Sequence, residues 1–241
     1  MKCRCRLRKK EWQSARRGVV GVSRGLYDRR MRILPTLLLS SLAALPVLAG
    51  LPTIDPAEAL KRSGPIDRGD DADTAKLIGT KAPALPALRW LDGKERTLDS
   101  FSGKVVVIRS FTNECPFCAS TMPSLNRLEE KYRDRGVVVL GVYHPKPPAP
   151  VSNADVEAFA RSFGLGFPVA VDEDWSLVQR WWKDFSDGSW TSVTWVLDRT
   201  GTIRAVHPGG EYHDGGGAAH AACRADYAKL QRTIDELLNE R

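Results

Sequence analysis

Residues 105–118, VVVIRSFTNECPFC, constrain the fold most, because an apolar run leads directly into two cysteines three positions apart. The run Val105–Ile108 predicts a buried strand, since strands covered on both faces are continuously apolar. Beyond Cys115 and Cys118, apolar residues recur every three or four positions, which indicates a helix. The cysteines are therefore expected where a buried strand passes into a helix N-terminus. The recurring apolar residues are Met122, Leu125, Leu128 and Tyr132.

A helix N-terminus is a favourable place for thiol chemistry. Its unpaired N–H groups and the helix dipole stabilise a thiolate, and two thiols one turn apart can close a disulfide. We therefore predict that Cys115 and Cys118 form a redox-active dithiol. Cys115 lies nearer the helix start and is expected to attack, while Cys118 is expected to resolve the mixed disulfide.

Two structural interpretations of the pair remain: buried inert thiols, or half of a zinc site. Zinc needs four ligands, and no second CxxC or close histidine pair is present. Haem attachment would need histidine where Ala119 stands. His144, at the end of a predicted strand, is either a proton shuttle or an ordinary loop histidine. His207, His213 and His220 are scattered among glycines and poorly spaced for a metal cluster, so we expect no cofactor and no metal ligand.

The motif Cys115-Pro116-Phe117-Cys118, with Pro123 five residues later, resembles the thioredoxin pattern. More narrowly, the chain resembles exported thiol–disulfide oxidoreductases of the TlpA/ResA type over about residues 80–210. The resemblance implies an α/β, thioredoxin-like three-layer fold, in which helices flank a central mixed sheet. Further segments that carry it are residues 99–104, 167–169 and 195–203.

The same resemblance implies an activity and partners. Such proteins exchange electrons with protein disulfides through their dithiol, so protein thiols and disulfides are the expected substrates. A membrane or periplasmic redox donor is the expected partner, and clients in that group include apocytochromes and other exported thiol proteins. The direction of electron flow is left open.

One position departs from the thioredoxin pattern. These proteins usually carry a cis-proline just before the strand that faces the CxxC motif, and Ser192 stands there in this chain. A cis bond before a residue other than proline costs about 3–4 kcal/mol, so we expect a trans bond.

Two alternative functions remain open. Residues 111–116 also resemble the peroxiredoxin stretch, in which a threonine three residues before the reactive cysteine, here Thr112, helps to hold the peroxide. This resemblance implies a peroxidase that uses Cys115, with Cys118 as the resolving thiol. Against this, Ile108 replaces that group's proline, and no arginine is evident at the start of the facing strand. The second alternative is a non-catalytic, thioredoxin-like binding module whose disulfide only stabilises the start of the helix. Solvent accessibility separates an enzyme from such a binding module. An enzyme needs Cys115 partly exposed and Cys118 buried, whereas a structural pair would bury both thiols.

The N-terminal segment accounts for the basic charge of the chain. Residues 1–32 carry twelve Lys/Arg and two acids, a net +10, so the rest of this +7 chain carries −3. A targeting segment explains this better than a nucleic-acid surface, so no nucleic-acid partner is expected. We predict a basic leader or unused upstream start over 1–30 and a signal peptide over 31–49. The protein is then periplasmic or otherwise exported. If the signal is not cleaved, residues 33–49 anchor the chain in a membrane, facing outside.

The remaining chain is expected to comprise a flexible linker, 50–76, and one thioredoxin-like domain, 77–241. Cys223 is expected to be a small hydrophobe or a stray surface thiol. Strands are predicted at 85–91, 104–110, 137–143, 167–171, 190–198 and 202–207. Helices are predicted at 116–133, 153–164, 175–183 and 224–239.

Overall fold

A computed structural model describes Leu51, residues 54–62 and residues 71–240. The expected leader and signal peptide therefore lie outside the described residues. The helices are α1 (Pro56–Arg62), α2 (Asp71–Leu77), α3 (Pro116–Tyr132), α4 (Asn153–Ser162), α5 (Ser176–Val178) and α6 (Ala221–Asn239). The strands are β1 (Arg89–Trp90), β2 (Val105–Phe111), β3 (Val137–Tyr143), β4 (Val169–Val171), β5 (Thr194–Leu197) and β6 (Ile203–His207).

The six strands form one mixed sheet in the order β1-β4-β3-β2-β5-β6. β2, β3 and β4 are parallel, and the flanking pairs β2/β5, β5/β6 and β1/β4 are antiparallel. At the centre, β2 and β3 pair from Val105 opposite Val137 to Phe111 opposite Tyr143. Both strands are almost entirely buried, as their continuous apolar runs predicted. The expectation that these two strands are parallel neighbours is confirmed.

Helices cover both faces of the sheet. One core places α3, α4 and α6 against alternate residues of β2 and β3, including Val107 and Val139. The other core packs α2, α5 and the indoles of Trp181, Trp182 and Trp195 on the opposite face. This arrangement confirms the three-layer α/β fold expected from the sequence. Along α6 the predicted inner stripe is buried, and its residues are Tyr227, Leu230, Ile234 and Leu237.

Some elements are shorter than expected. The first strand, expected at 85–91, is only Arg89–Trp90, because Pro86 has no N–H to donate to a ladder. The helix expected at 175–183 is the short α5, followed by a π-type turn over Gln179–Lys183. The strand expected from residue 190 begins only at Thr194.

The segment expected to be a plain linker contains two short helices. Asp55 begins α1, where its Oδ1 accepts the Ala57 N–H at 2.7 Å, and Ala59 is fully buried. In α2, Leu77 is buried in the core that contains the tryptophans. Within the part of the chain described here, no helix has both the length and the apolar character needed to cross a membrane.

Candidate active site

The two cysteines lie where β2 ends and α3 begins. Cys115 is the N-cap residue of α3, and its carbonyl oxygen accepts the N–H groups of Cys118 at 3.0 Å and Ala119 at 3.1 Å. Pro116 occupies the first helical turn, where its missing N–H would have been unpaired anyway. Both cysteines are thiols, with Cys115 partly exposed and Cys118 completely buried. This is the accessibility pattern that an exchanging dithiol requires.

Ser192, which stands where thioredoxins have cis-proline, lies directly against the buried thiol. Its Oγ is 3.0 Å from the Cys118 Sγ. Among the described residues the one cis peptide bond is Lys146–Pro147, so the bond before Ser192 is trans, as expected.

Ser110 of β2 holds the segment around Ser192 in place. Its hydroxyl donates to the Thr191 carbonyl at 2.7 Å and accepts the Val193 N–H at 2.8 Å. A side chain thus supplies contacts that a strand ladder would otherwise make, which explains why β5 begins later than predicted. The backbone at Ser192 is thereby fixed beside Cys118.

Arg109 places a positive charge beneath the dithiol. It is completely buried, donating through Nη1 to the Thr194 hydroxyl at 3.1 Å and through Nη2 to the Gly210 carbonyl at 3.0 Å. Its guanidinium also lies 5.5 Å from the ring centre of Tyr212. Arg109 was not among the site residues predicted from the sequence, although a charged side chain inside an otherwise apolar strand is a usable signal.

The two thiols interact so that one of them ionises readily. Burial alone raises the pKa of Cys118. The hydrogen bond from Cys115, the charge of Arg109 and the hydrogen bond from Ser192 outweigh burial and lower that pKa to about 6. The same hydrogen bond, with burial, raises the pKa of Cys115. The pair therefore shares one proton and carries one negative charge near neutral pH, and Cys115 is the sulfur that solvent reaches.

An aromatic contact borders the exposed side of the dithiol. The ring of Phe117, inside the CPFC motif, meets Trp190 edge to face with centroids 5.7 Å apart. Gly209 packs its backbone against the same indole: a Cβ built there would lie 2.6 Å from Trp190. Only glycine fits this close approach comfortably, also because φ is +142°.

His144 does not show the features of a proton shuttle. It is buried, and burial lowers its pKa to about 4, so the ring is neutral at physiological pH. Its Nδ1 is 3.5 Å from the Pro145 carbonyl oxygen, and its ring packs edge to face on Trp175 with ring centroids 5.3 Å apart.

Thr112, the residue on which the peroxidase alternative rests, is also buried, and its hydroxyl contacts Asn113 Oδ1 at 3.5 Å.

A dithiol at a strand-to-helix junction, in a mixed sheet covered by helices on both faces, defines the thioredoxin-like class of α/β proteins. Comparison with known proteins narrows this class. The chain belongs to the Redoxin family, whose sequence model matches residues 77–220. The resemblance expected from the CPFC motif and its lead-in is confirmed at this level.

Two relatives are similar to this chain at the level of sequence, and one of them carries an oxidoreductase name. Thiol-disulfide oxidoreductase ResA of Geobacillus thermodenitrificans is 29% identical over 136 residues, 56% of this chain and 72% of that protein. Protein DipZ of Mycobacterium bovis is 29% identical over 175 residues, 71% of this chain. The chain spans only 22% of DipZ. The name of the Geobacillus protein agrees with the enzyme class expected from the sequence.

Solved structures agree on the fold. A thiol-disulfide isomerase from Corynebacterium glutamicum superposes with a TM-score of 0.52 at 25% identity, covering 66% of this chain and 98% of that one. A putative thiol:disulfide interchange protein DsbE from Chlorobium tepidum superposes with a TM-score of 0.53 at 23% identity. The match covers 67% of this chain and 98% of that one. The second likeness bears on the fold alone.

Proposed function

We propose that the chain is an exported thiol–disulfide oxidoreductase that exchanges electrons with protein disulfides through Cys115 and Cys118. The observation that carries the proposal is the pairing of a partly exposed thiol with a fully buried one at the start of α3. The proposed export signal, residues 31–49, lies outside the described residues. Export is supported by the sequence, in which the apolar run 33–49 follows a basic segment.

The exchange proceeds in two balanced steps. In the first, the Cys115 thiolate attacks one sulfur of a client disulfide, forming a mixed disulfide and releasing the other client sulfur as a thiolate. In the second, the Cys118 thiolate attacks the Cys115 sulfur, closing the Cys115–Cys118 disulfide and releasing the second client thiolate. Two electrons pass from the dithiol to the client, and the reverse sequence oxidises a client dithiol.

The shared proton serves both steps. When a client disulfide approaches, transfer of the proton from Cys115 to Cys118 places the negative charge on the exposed sulfur. Arg109 stabilises the charge on either sulfur, because its positive charge lowers the pKa of Cys118 and acts on Cys115 in the same direction. The Ser192 hydroxyl stabilises the thiolate of Cys118 for the resolving step.

The partners follow from this mechanism. The substrates are proteins with accessible disulfides or dithiols, and a membrane or periplasmic redox partner returns the active-site pair to its starting state. Phe117 and Trp190 form an apolar rim on the open side, which suits clients with apolar residues beside their cysteines.

An activity assay tests the proposal against the peroxidase alternative. The purified protein should reduce the disulfides of insulin in the presence of dithiothreitol, and both Cys115→Ala and Cys118→Ala should abolish turnover. Hydrogen peroxide should be consumed slowly, and Thr112→Val should not alter that rate, because the Thr112 hydroxyl contacts Asn113. Rapid peroxide consumption that depends on Thr112, with no insulin reduction, would replace the exchanger with a peroxidase.

A further inference from the structure

Four buried side chains with metal-binding atoms meet away from the dithiol. Glu211, His213, His220 and Cys223 are 3%, 2%, 6% and 8% exposed, and one donor atom from each lies within 4.8 Å of the others. Glu211 Oε2 is 3.7 Å from His213 Nε2. Glu211 Oε1 is 3.5 Å from His220 Nδ1 and 3.6 Å from Cys223 Sγ. These contacts define a cluster, which we call the EHHC cluster.

The spacing of these atoms is close to that of a small coordination shell. Zinc–nitrogen and zinc–oxygen bonds are about 2.0–2.1 Å and zinc–sulfur bonds about 2.3 Å. In a tetrahedron the ligand atoms lie about 1.6 bond lengths apart, so the expected edges are about 3.3–3.8 Å. The shortest distances, 3.7 Å from Oε2 to His213 and 3.5 and 3.6 Å from Oε1 to His220 and Cys223, all start from the Glu211 carboxylate. The four donor atoms lie within 4.8 Å of one another, so a contraction of about 1 Å would bring them onto one ion.

Within the described chain, His213 lacks the hydrogen bonds that a buried imidazole normally has. Both of its ring nitrogens are inaccessible to solvent, and neither has a hydrogen-bond partner among residues 51, 54–62 and 71–240. A buried polar group without a partner is costly, at about 1–3 kcal/mol. Its Nε2 faces the Glu211 carboxylate from 3.7 Å, which is too far for a hydrogen bond and suitable for two ligands of one ion.

We propose that the EHHC cluster binds one divalent transition-metal ion, with Zn²⁺ as the best match. Imidazole, carboxylate and thiolate are all zinc ligands, and four protein donors make a closed structural site. One carboxylate and one thiolate supply two negative charges, which balance those of the ion. On binding, Cys223 gives up its proton to solvent.

The local chain geometry builds this site from two short motifs, Glu211-x-His213 and His220-x-x-Cys223. The second lies at the start of α6, where a spacing of three places both side chains on one face. The backbone N–H of His213 donates to the Cys223 carbonyl at 3.4 Å, which joins the two motifs.

A glycine loop packs against one side of the EHHC cluster. A Cβ at Gly216 would lie 2.6 Å from the His220 ring, so the loop backbone packs directly on this imidazole. Arg224 donates to the carbonyl oxygens of this loop, at 2.9 Å for Gly217 and 3.1 Å for Gly216. Residues 214–219 are largely exposed, so solvent lies directly outside this loop.

The EHHC cluster also contacts the helix that bears the dithiol. The Ser120 hydroxyl, two residues after Cys118, donates to Glu211 Oε2. A carboxylate held by an outer hydrogen bond is the usual arrangement around a metal ligand. The bound ion would fasten the segment after β6 to the start of α6, and the hydrogen bond from Ser120 links this site to α3. The proposal does not depend on the exchange reaction and departs from the expectation of no metal site.

Metal binding by the full-length chain tests the proposal directly. Cys3, Cys5, Cys115 and Cys118 are first replaced by serine, so that Cys223 is the one thiol left in the chain. Equilibrium dialysis against Zn²⁺ should then find one ion per chain. Added Co²⁺ should give a thiolate charge-transfer band, and Zn²⁺ should raise the melting temperature, since it binds the folded state.

Substitutions within the EHHC cluster should weaken Zn²⁺ binding at least tenfold. Cys223→Ser should also remove the Co²⁺ charge-transfer band, and His213→Gln should lower affinity while keeping that band. His207→Gln is the matched control, because His207 lies outside the cluster and its Nε2 contacts Asp226 at 3.4 Å. This variant should bind Zn²⁺ as tightly as the parent protein with four cysteines replaced by serine. Dialysis that finds no bound Zn²⁺ in the folded parent, or a Co²⁺ band that survives Cys223→Ser, would overturn the proposal.

Discussion

At the scale of single residues, Arg109 is one of the groups that favour a negative charge on the dithiol. It contributes a buried positive charge where a thiolate must form, and hydrogen bonds to Thr194 and Gly210 hold it there. A cation near a thiol favours the ionised form, so this side chain acts together with the hydrogen bonds from Cys115 and Ser192 to lower the pKa of Cys118.

Arg109→Gln should therefore raise the pKa at which the pair first ionises. The pH midpoint for alkylation of Cys115 by iodoacetamide should move up by about 1 pH unit or more. Arg161→Gln is a matched control, because Arg161 is exposed on α4 and pairs only with Glu157 at 3.4 Å in the described chain. An unchanged midpoint in a folded Arg109→Gln protein would show that this charge does not act on the dithiol.

Ser110 is a positioning residue for the segment that contacts Cys118. Ser110→Ala leaves the buried Val193 N–H without its acceptor at 2.8 Å, which should lower the free energy of unfolding by about 1–3 kcal/mol. Urea unfolding measures this loss. Ser100→Ala, an exposed serine in the lead-in to β2, should change stability by less than about 0.5 kcal/mol. Equal effects of the two substitutions would contradict the role given to Ser110.

At the scale of elements, local patterns predicted the centre of the fold well. The run Val137–Tyr143 is β3 as predicted, and α3 differs from its predicted range by one residue. In both elements the apolar period and the tertiary burial agree. The stretch from Trp190 was predicted as strand, but the hydroxyl of Ser110 bonds to its backbone and delays β5 until Thr194. No pattern within one segment reports such a contact.

The loop after β6 is fitted to the rim of the active site at Gly209. Gly209→Ala should destabilise the protein through a clash with Trp190 as well as through backbone strain, and it should slow insulin reduction. Gly93→Ala carries strain alone, because φ is +70° and a Cβ there meets nothing within 4 Å. Thermal or urea unfolding should show that Gly209→Ala loses more, by about 1–3 kcal/mol. Similar losses would contradict a close fit at Trp190.

At the scale of the whole molecule, residues far apart in sequence form both candidate sites. The CPFC motif could be identified from the sequence because its two thiols are three positions apart. The contact of Arg109 with Gly210 and that of Ser120 with Glu211 join segments about a hundred residues apart, so no local spacing indicates them. The four residues of the EHHC cluster are scattered over positions 211–223, and the fold brings their side chains together.

The dithiol should also make the stability of the reduced protein depend on pH. The pKa of Cys118, about 6 when folded, lies below its ordinary 9.0. Between these values the unfolded chain binds a proton that the folded chain does not, so stability should rise from pH 6 towards pH 9. Urea unfolding of reduced wild type and of the Cys115→Ser/Cys118→Ser variant should show a difference that grows with pH. A difference that stays constant would contradict the lowered pKa.

The central claim is that Cys115 attacks and Cys118 resolves, and trapping of the mixed disulfide tests it most directly. Cys118→Ala, incubated with a disulfide-bonded client such as insulin, should accumulate a covalent adduct that mass spectrometry locates at Cys115 and dithiothreitol releases. Cys115→Ala should trap little, because Cys118 is completely buried. Adducts at Cys118 in Cys115→Ala, with none at Cys115 in Cys118→Ala, would contradict the assignment of the two roles.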